Sequence, residues 1–286
     1  MNRYYTILLL VLISSGTCLA QLEKQKGAGG KIGFKDYDDN WIIQPQYDEA
    51  TEFYDIAYAF AKLKGKWGMI DVKGQTIIPF EYSNIINMDD GDGQLYAVVK
   101  NKKYGLAELA TGKVVVEPVY DRDFYFDDQF YSSFGALAVV YKNGKAGLID
   151  RKGVEVVLCI YDDAKKKPFL NLDYDIYFMV RQNKKAGVIN MDGCKLVVPC
   201  AYDLVKIAEG AFDIIRGGKY GLYSMQGKEI VAPLFDKPFN FDGEYASVQQ
   251  KKKHGIIDKS GKFIVPCTFA NDDEAYLELE RLNENK

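Results

Sequence analysis

One histidine, His254, occurs in 286 residues. A His-based catalytic triad or a multi-His zinc site is hard to assemble from a single imidazole. Tryptophan is nearly as scarce, with two copies, and cysteine occurs five times. Four of those cysteines (Cys159, Cys194, Cys200 and Cys267) lie beyond the first twenty residues. That is too few for a disulfide-built scaffold in a chain this long. Excess positive charge is also missing, since the formal net charge is -3. This excludes the broad basic field that nucleic-acid binding relies on. The short basic runs, Lys165 to Lys167 and Lys251 to Lys253, read as solvated loop and strand ends. No phosphate-cradling loop or dinucleotide fingerprint is present, and no cofactor is expected.

Long apolar runs are absent except at the start. Arg3 precedes the apolar stretch Ile7 to Ile13, followed by Ser14, Ser15 and Gly16. Cys18-Leu19-Ala20 then offers a cleavage site before Gln21. Residues 1–20 therefore read as a secretory signal peptide. The stretch is too short to span a bilayer. The expectation is an exported chain (periplasmic, cell-surface or secreted) that is not transmembrane after cleavage. An acylated Cys18 is the rival reading, although Thr17 before it fits a lipobox poorly.

Aromatic residues are abundant, with 21 Tyr and 16 Phe, and such residues favour strands. They sit within a repeat. A Lys-x-Gly element followed by apolar residues recurs seven times, with glycines at Gly33, Gly68, Gly105, Gly147, Gly187, Gly221 and Gly255. An alternating segment precedes it, as in Tyr96 to Lys100, which fits a half-buried strand. Turn residues such as Asn143-Gly144 separate the two. An Asp-x-x-Gly turn follows at Asp71, Asp150 and Asp258, with Asn190 or Ser224 leading in two further units. Next comes an apolar run ending in proline, as in Ile77-Ile78-Pro79, then an aromatic-acid pair such as Tyr47-Asp48. Proline lacks a donor and closes the strand. Glycine inside the second strand implies a close approach of neighbouring backbone or a ring. Each unit reads as an antiparallel meander of three strands, or four if the Tyr-Asp stretch pairs. The aromatic lies two residues after the proline at Tyr47, Tyr120 and Phe235, and three after it at Tyr82, Tyr202 and Phe269. An insertion just after the proline would account for the difference without turning the strand over.

This pattern resembles the bacterial WG (KWG) β-repeat family, most closely at Lys66-Trp67-Gly68-Met69-Ile70-Asp71 with Gly74 and Ile77-Ile78-Pro79. The resemblance implies a scaffold and interaction repeat with no shared catalytic activity. Only Trp67 keeps the tryptophan; Ile32, Tyr104, Ala146, Ala186, Tyr220 and His254 fill that slot elsewhere.

The fold expected is all-β, with seven tandem antiparallel β-meander repeats over residues 31–270. Residues 21–30 read as a short N-terminal linker and residues 271–286 as a C-terminal capping strand or helix. The short units favour an open curved or superhelical array. A closed seven-bladed ring, completed by the segment Tyr276 to Leu282, is the alternative.

Chemistry finds little support. Cys159, Cys200 and Cys267 share one register after the proline position, where Leu158 stands in for proline in the fourth unit. They read as small buried apolar residues; the rival reading is a disulfide of Cys159 with Cys200, or of Cys194 with Cys200. Asp36, Asp38 and Asn40 begin like a calcium loop but lack its glycine and distal glutamate. Asp89, Asp90 and Asp92, and the acids around Phe124, read as solvated turns. No metal site is expected. The candidate partner-binding residues are Trp41 and, on the long loop after Tyr120, Phe124, Tyr125, Phe126, Phe130 and Tyr131. Exposed, they would anchor a protein partner or, alternatively, a glycan. Buried, they pack one repeat against the next. A carboxylate-based hydrolase is the third reading and requires two facing acids in a cleft.

Overall fold

The computed structural model describes residues 22–53, 57–88, 94–132, 135–164, 169–170, 176–208 and 210–284. For 127–132, 163, 169–170 and 176 it describes the backbone alone. The signal-peptide segment, the Asp89-to-Asp92 loop and Lys165 to Lys167 lie outside these residues.

The chain forms seven antiparallel sheets in sequence order, none of them closed into a barrel. The second is typical. Glu49–Ala50 pairs with Tyr58–Leu63, which pairs with Lys66–Asp71, which pairs with Thr76–Tyr82. The Tyr-Asp stretch therefore leads into a short fourth strand at the start of each following sheet. Two-residue turns join the second and third strands at positive φ, for example Asn143 at 53° and Gly144 at 73°.

The Asp-x-x-Gly turns form as their sequence implies. Asp150 Oδ1 accepts the N–H groups of Lys152 (2.9 Å) and Val154 (2.8 Å). Gly153 takes φ +80°. Asp36 does the same work for Asp38 and Asn40, at 3.0 and 2.9 Å, so its carboxylate caps a turn.

The register is constant across units. The slot after the motif lysine always faces the aromatic: Ile32 faces Tyr47, Trp67 faces Tyr82, Ala146 faces Tyr161 and His254 faces Phe269. Two residues later the partners are Ile43, Ile78, Val157 and Val265. Every unit thus sets four positions on the third strand against two on the second. The expected insertion after proline does not exist. The bulge has one length, and the proline occupies either its first position (Pro79, Pro199, Pro266) or its second (Pro45, Pro118, Pro233). Both positions lie on an edge strand, where a missing N–H costs no ladder bond.

The bulge also explains the motif glycine. A Cβ on Gly147 would stand 2.5 Å from Val157 O, and one on Gly105 would stand 2.4 Å from Val116 O. Only glycine lets the bulged strand come this close.

Buried clusters lie between successive sheets, each shared by two neighbours. The last cluster sets Ile256 and Val265 of the seventh sheet against Ala275 and Leu279 of α1 (Asp272–Glu284). Asn271 caps that helix, accepting from Glu274 N at 2.9 Å, while Glu274 reaches back to Ala270 N at 3.0 Å. Among the described residues, no cluster joins the first sheet to the seventh. Among the described residues the row ends in a helical cap, and the segment Tyr276 to Leu282, which could have closed a ring, is part of that helix.

The expected linker is partly corrected. Glu23–Lys26 is a strand paired with Ile32–Lys35 and completes a three-stranded first sheet. Its Glu-Lys-Gln-Lys side chains are largely solvent-facing, so no apolar alternation marks it in the sequence.

Candidate interaction surface

The Lys-x-Gly lysine and the aromatic-acid aspartate meet at the joints between sheets. Lys31 binds Asp48, Lys103 binds Asp121, Lys145 binds Asp162, Lys185 binds Asp203 and Lys219 binds Asp236. Each aspartate also accepts a backbone N–H from the hairpin turn of the next sheet. Gly65 N donates to Asp48 at 2.8 Å, Gly144 N to Asp121 at 2.6 Å and Gly217 N to Asp203 at 2.7 Å. Lys184 N and Lys252 N complete the set at 3.1 and 3.2 Å. One carboxylate therefore ties its own sheet to the following one. These bonds hold all five acids below the ordinary carboxylate range, first through the lysine and then through the turn N–H. The two remaining units carry Ser83 and Ala270 at this position. Ser83 Oγ instead donates to Val99 O of the next sheet, at 2.9 Å.

The seventh sheet has no successor and uses its histidine. Gln249 Nε2 donates to His254 Nε2 at 2.8 Å. Nδ1 then carries the proton given to Asp272 Oδ1, at 2.6 Å. Asp272 lies at the start of α1, so this pair fixes the cap. Burial raises the Asp272 carboxyl, but hydrogen bonds from His254 and Ser247 outweigh it and the net direction is down. His254 is a buried joint residue, 7% exposed.

Among the described residues, the four cysteines are free thiols. Cys159 and Cys200 lie over the motif glycines, with Sγ 2.8 and 2.7 Å from where a Cβ of Gly147 and Gly187 would stand. In other units the same position holds Pro45, Phe80, Pro118 or Pro233. Burial pushes the Cys159 and Cys194 thiols up to about 11, which suits an inert packing role.

Of the six candidate partner-binding aromatics, two are buried. Phe124 and Phe126 are 4% and 6% exposed and pack between the third and fourth sheets, edge-on to one another. They are not available to a partner; burial there stabilises about 2 kcal/mol each. Tyr125, between them, is 59% exposed. Trp41 is half-buried over Gly33, with the Lys35 ammonium 4.8 Å from its ring centre. Phe130 and Tyr131 fall on the strand Asp127–Ser132, and their side chains lie outside the described residues.

What the sequence reading missed is the strand Glu155–Tyr161 and the residue before it. Val154, Leu158 and Ile160 are all exposed there. The signal was present, since Leu158 replaces the proline.

Acid chemistry gains little. Burial raises the Asp213 carboxyl, and its partner across the strand pair is Lys206, which pulls the other way. Among the described residues, no three His, Cys, Asp or Glu side chains are placed to share a metal ion. No helix among them is long and apolar enough to cross a membrane.

A family model described as a WG-containing repeat matches residues 32–67, 67–104, 147–185, 220–253 and 255–271, more than half of the chain. No curated protein matches the sequence. Among solved structures, the chain is similar to a eukaryotic initiation factor (TM-score 0.30, 10% identity), covering 87% of this chain and 74% of that one. It is also similar to the dihydro-heme d1 dehydrogenase NirN (TM-score 0.30, 14% identity), covering 89% and 65%. A third is Hsv2p of Kluyveromyces lactis (TM-score 0.26, 10% identity), covering 74% of each chain. These overlaps are shallow, and neither ring closure nor function follows from them.

Proposed function

The chain belongs to the WG β-repeat family, and on that premise we propose that it is an exported, non-catalytic scaffold that binds a protein partner. One observation carries this reading: the repeat's signature residues are engaged in holding sheet to sheet. The lysines and aspartates are paired at five joints, the glycines admit the bulge, and the histidine fixes the cap. A repeat whose recurring positions serve packing leaves recognition to the places where units differ. His254 and Asp272 have the geometry of a proton-transfer pair, but the second ring nitrogen faces the Gln249 amide, which is no nucleophile.

The test is a pull-down from envelope extracts, run beside a glycan array. Saturable capture of a protein supports the proposal. Glycan binding without protein capture moves the chain to the glycan-binding class. Fractionation of cells expressing the full chain tests export: a chain that stays unprocessed in the cytoplasm contradicts it.

A further inference from the structure

Deepening the scaffold reading, and resting on it, we propose that two copies of this chain associate through the strand Glu155–Tyr161 of the fourth sheet. Among the described residues this strand is the sheet's edge, paired on one side only, with Lys145–Asp150. Unprotected edges invite pairing, and proline and charge are the usual guards. Six units keep a proline in this strand's bulge; the fourth has none. Leu158 stands where the second, fifth and seventh units carry Pro79, Pro199 and Pro266. Val154 stands where four units carry Lys113, Lys195, Lys228 and Lys262. Ile160 stands where three units carry Gln46, Glu81 or Thr268 and three carry Val119, Ala201 or Leu234. The changes at Leu158 and Val154 run from guarded to apolar, and with Ile160 they leave three exposed side chains, at 54%, 61% and 44% for Val154, Leu158 and Ile160.

Charge selects a second copy as the occupant. Exposed Lys152 lies at one end of the apolar stretch and exposed Asp162 at the other. A two-fold axis crossing the strand near Val157 lays it antiparallel to itself. Val154 then faces Ile160, Val156 faces Leu158 and Lys152 faces Asp162, each pair occurring twice. Asp162 keeps its bonds to Lys145 and Lys184 N and still shows a third of its side chain to solvent. A patch of this size supports a weak, concentration-dependent pair rather than an obligate one.

The experiment is sedimentation equilibrium of the full chain, expressed from residue 1, over a concentration series. L158P and V154K restore residues that other units carry, so both retain the fold, which circular dichroism checks. Wild type is expected to pass from monomer to dimer, and each variant to raise the dissociation constant about tenfold or more. Lys152→Glu weakens the dimer in the same direction. If L158P loses its strand signal, V154K decides alone. A wild type that stays monomeric throughout overturns the proposal, as does a dimer that V154K leaves unchanged. Capture of a different protein by a monomeric wild type sinks the dimer and keeps the scaffold.

Discussion

His254 Nδ1 lies 2.6 Å from Asp272 Oδ1, joining the last sheet to the helix that covers it. Five earlier joints use lysine and aspartate instead, and each runs forward into the next sheet. At the end of the row the acid has moved onto the cap and the base into the variable slot of the motif.

His254→Tyr tests that joint. Tyrosine fills the slot in two other units, at Tyr104 and Tyr220, so packing against Phe269 is retained. The bond to Asp272 is lost, which costs about 1 kcal/mol because the acid is half-exposed. Hydrogen exchange over residues 272–284 should accelerate more than exchange in the first six sheets. Uniform acceleration along the chain would refute a local role.

Acid should loosen the joints together. Asp48, Asp121, Asp162, Asp203 and Asp236 all have lowered folded pKa values. A depressed folded pKa gives stability that is full above the unfolded value and lost as pH falls through the folded one. Urea midpoints are expected to hold level from neutrality and to drop below about pH 4. Asp121→Asn keeps an acceptor for Gly144 N but loses the ion pair with Lys103, so its acid slope should be shallower by one proton.

Gly147→Ala should be far more damaging than Gly144→Ala. The first places a Cβ 2.5 Å from Val157 O, whereas the second meets no atom within 4 Å. The expected costs are about 3 kcal/mol or more for overpacking at Gly147 and about 1 kcal/mol for positive φ at Gly144. Urea denaturation of both variants measures the difference, and equal midpoints would show that the close approach does not constrain the fold.

Replacing Lys251-Lys252 by Asn-Gly should stabilise the seventh sheet. Both lysines sit at positive φ, 51° and 63°. Glycine at the second position relieves about 1 kcal/mol and keeps the N–H that bonds Asp236. A melting temperature at or below that of wild type would contradict this.

The thiols should react slowly. Cys159 and Cys194, raised to about 11, are largely protonated near neutrality. Titration with a disulfide reagent is expected to be slow at Cys159 and Cys194 in the native protein and rapid at both in denaturant. Fast native reaction at Cys159 would mean that the slot over Gly147 opens.

Sequence alone determined the period, the strand-turn-strand order of each unit and the Asp-x-x-Gly caps, because these depend on local backbone chemistry. It also placed glycine where something had to come close, and its helical alternative for the C-terminus matches α1. Tertiary structure decided what depends on neighbours across the row. Phe124 and Phe126 read in the sequence either as surface anchors or as inter-repeat packing, and only the packed third and fourth sheets decide for packing. The shifting Pro-aromatic spacing looks like an insertion, yet cross-strand pairing shows one bulge in which proline moves. Lys145 and Asp162 are seventeen residues apart, and only the stacking of sheets makes them a joint. The histidine follows the same logic. Its slot was readable in the repeat, but its purpose appears only where the row ends and a helix needs holding.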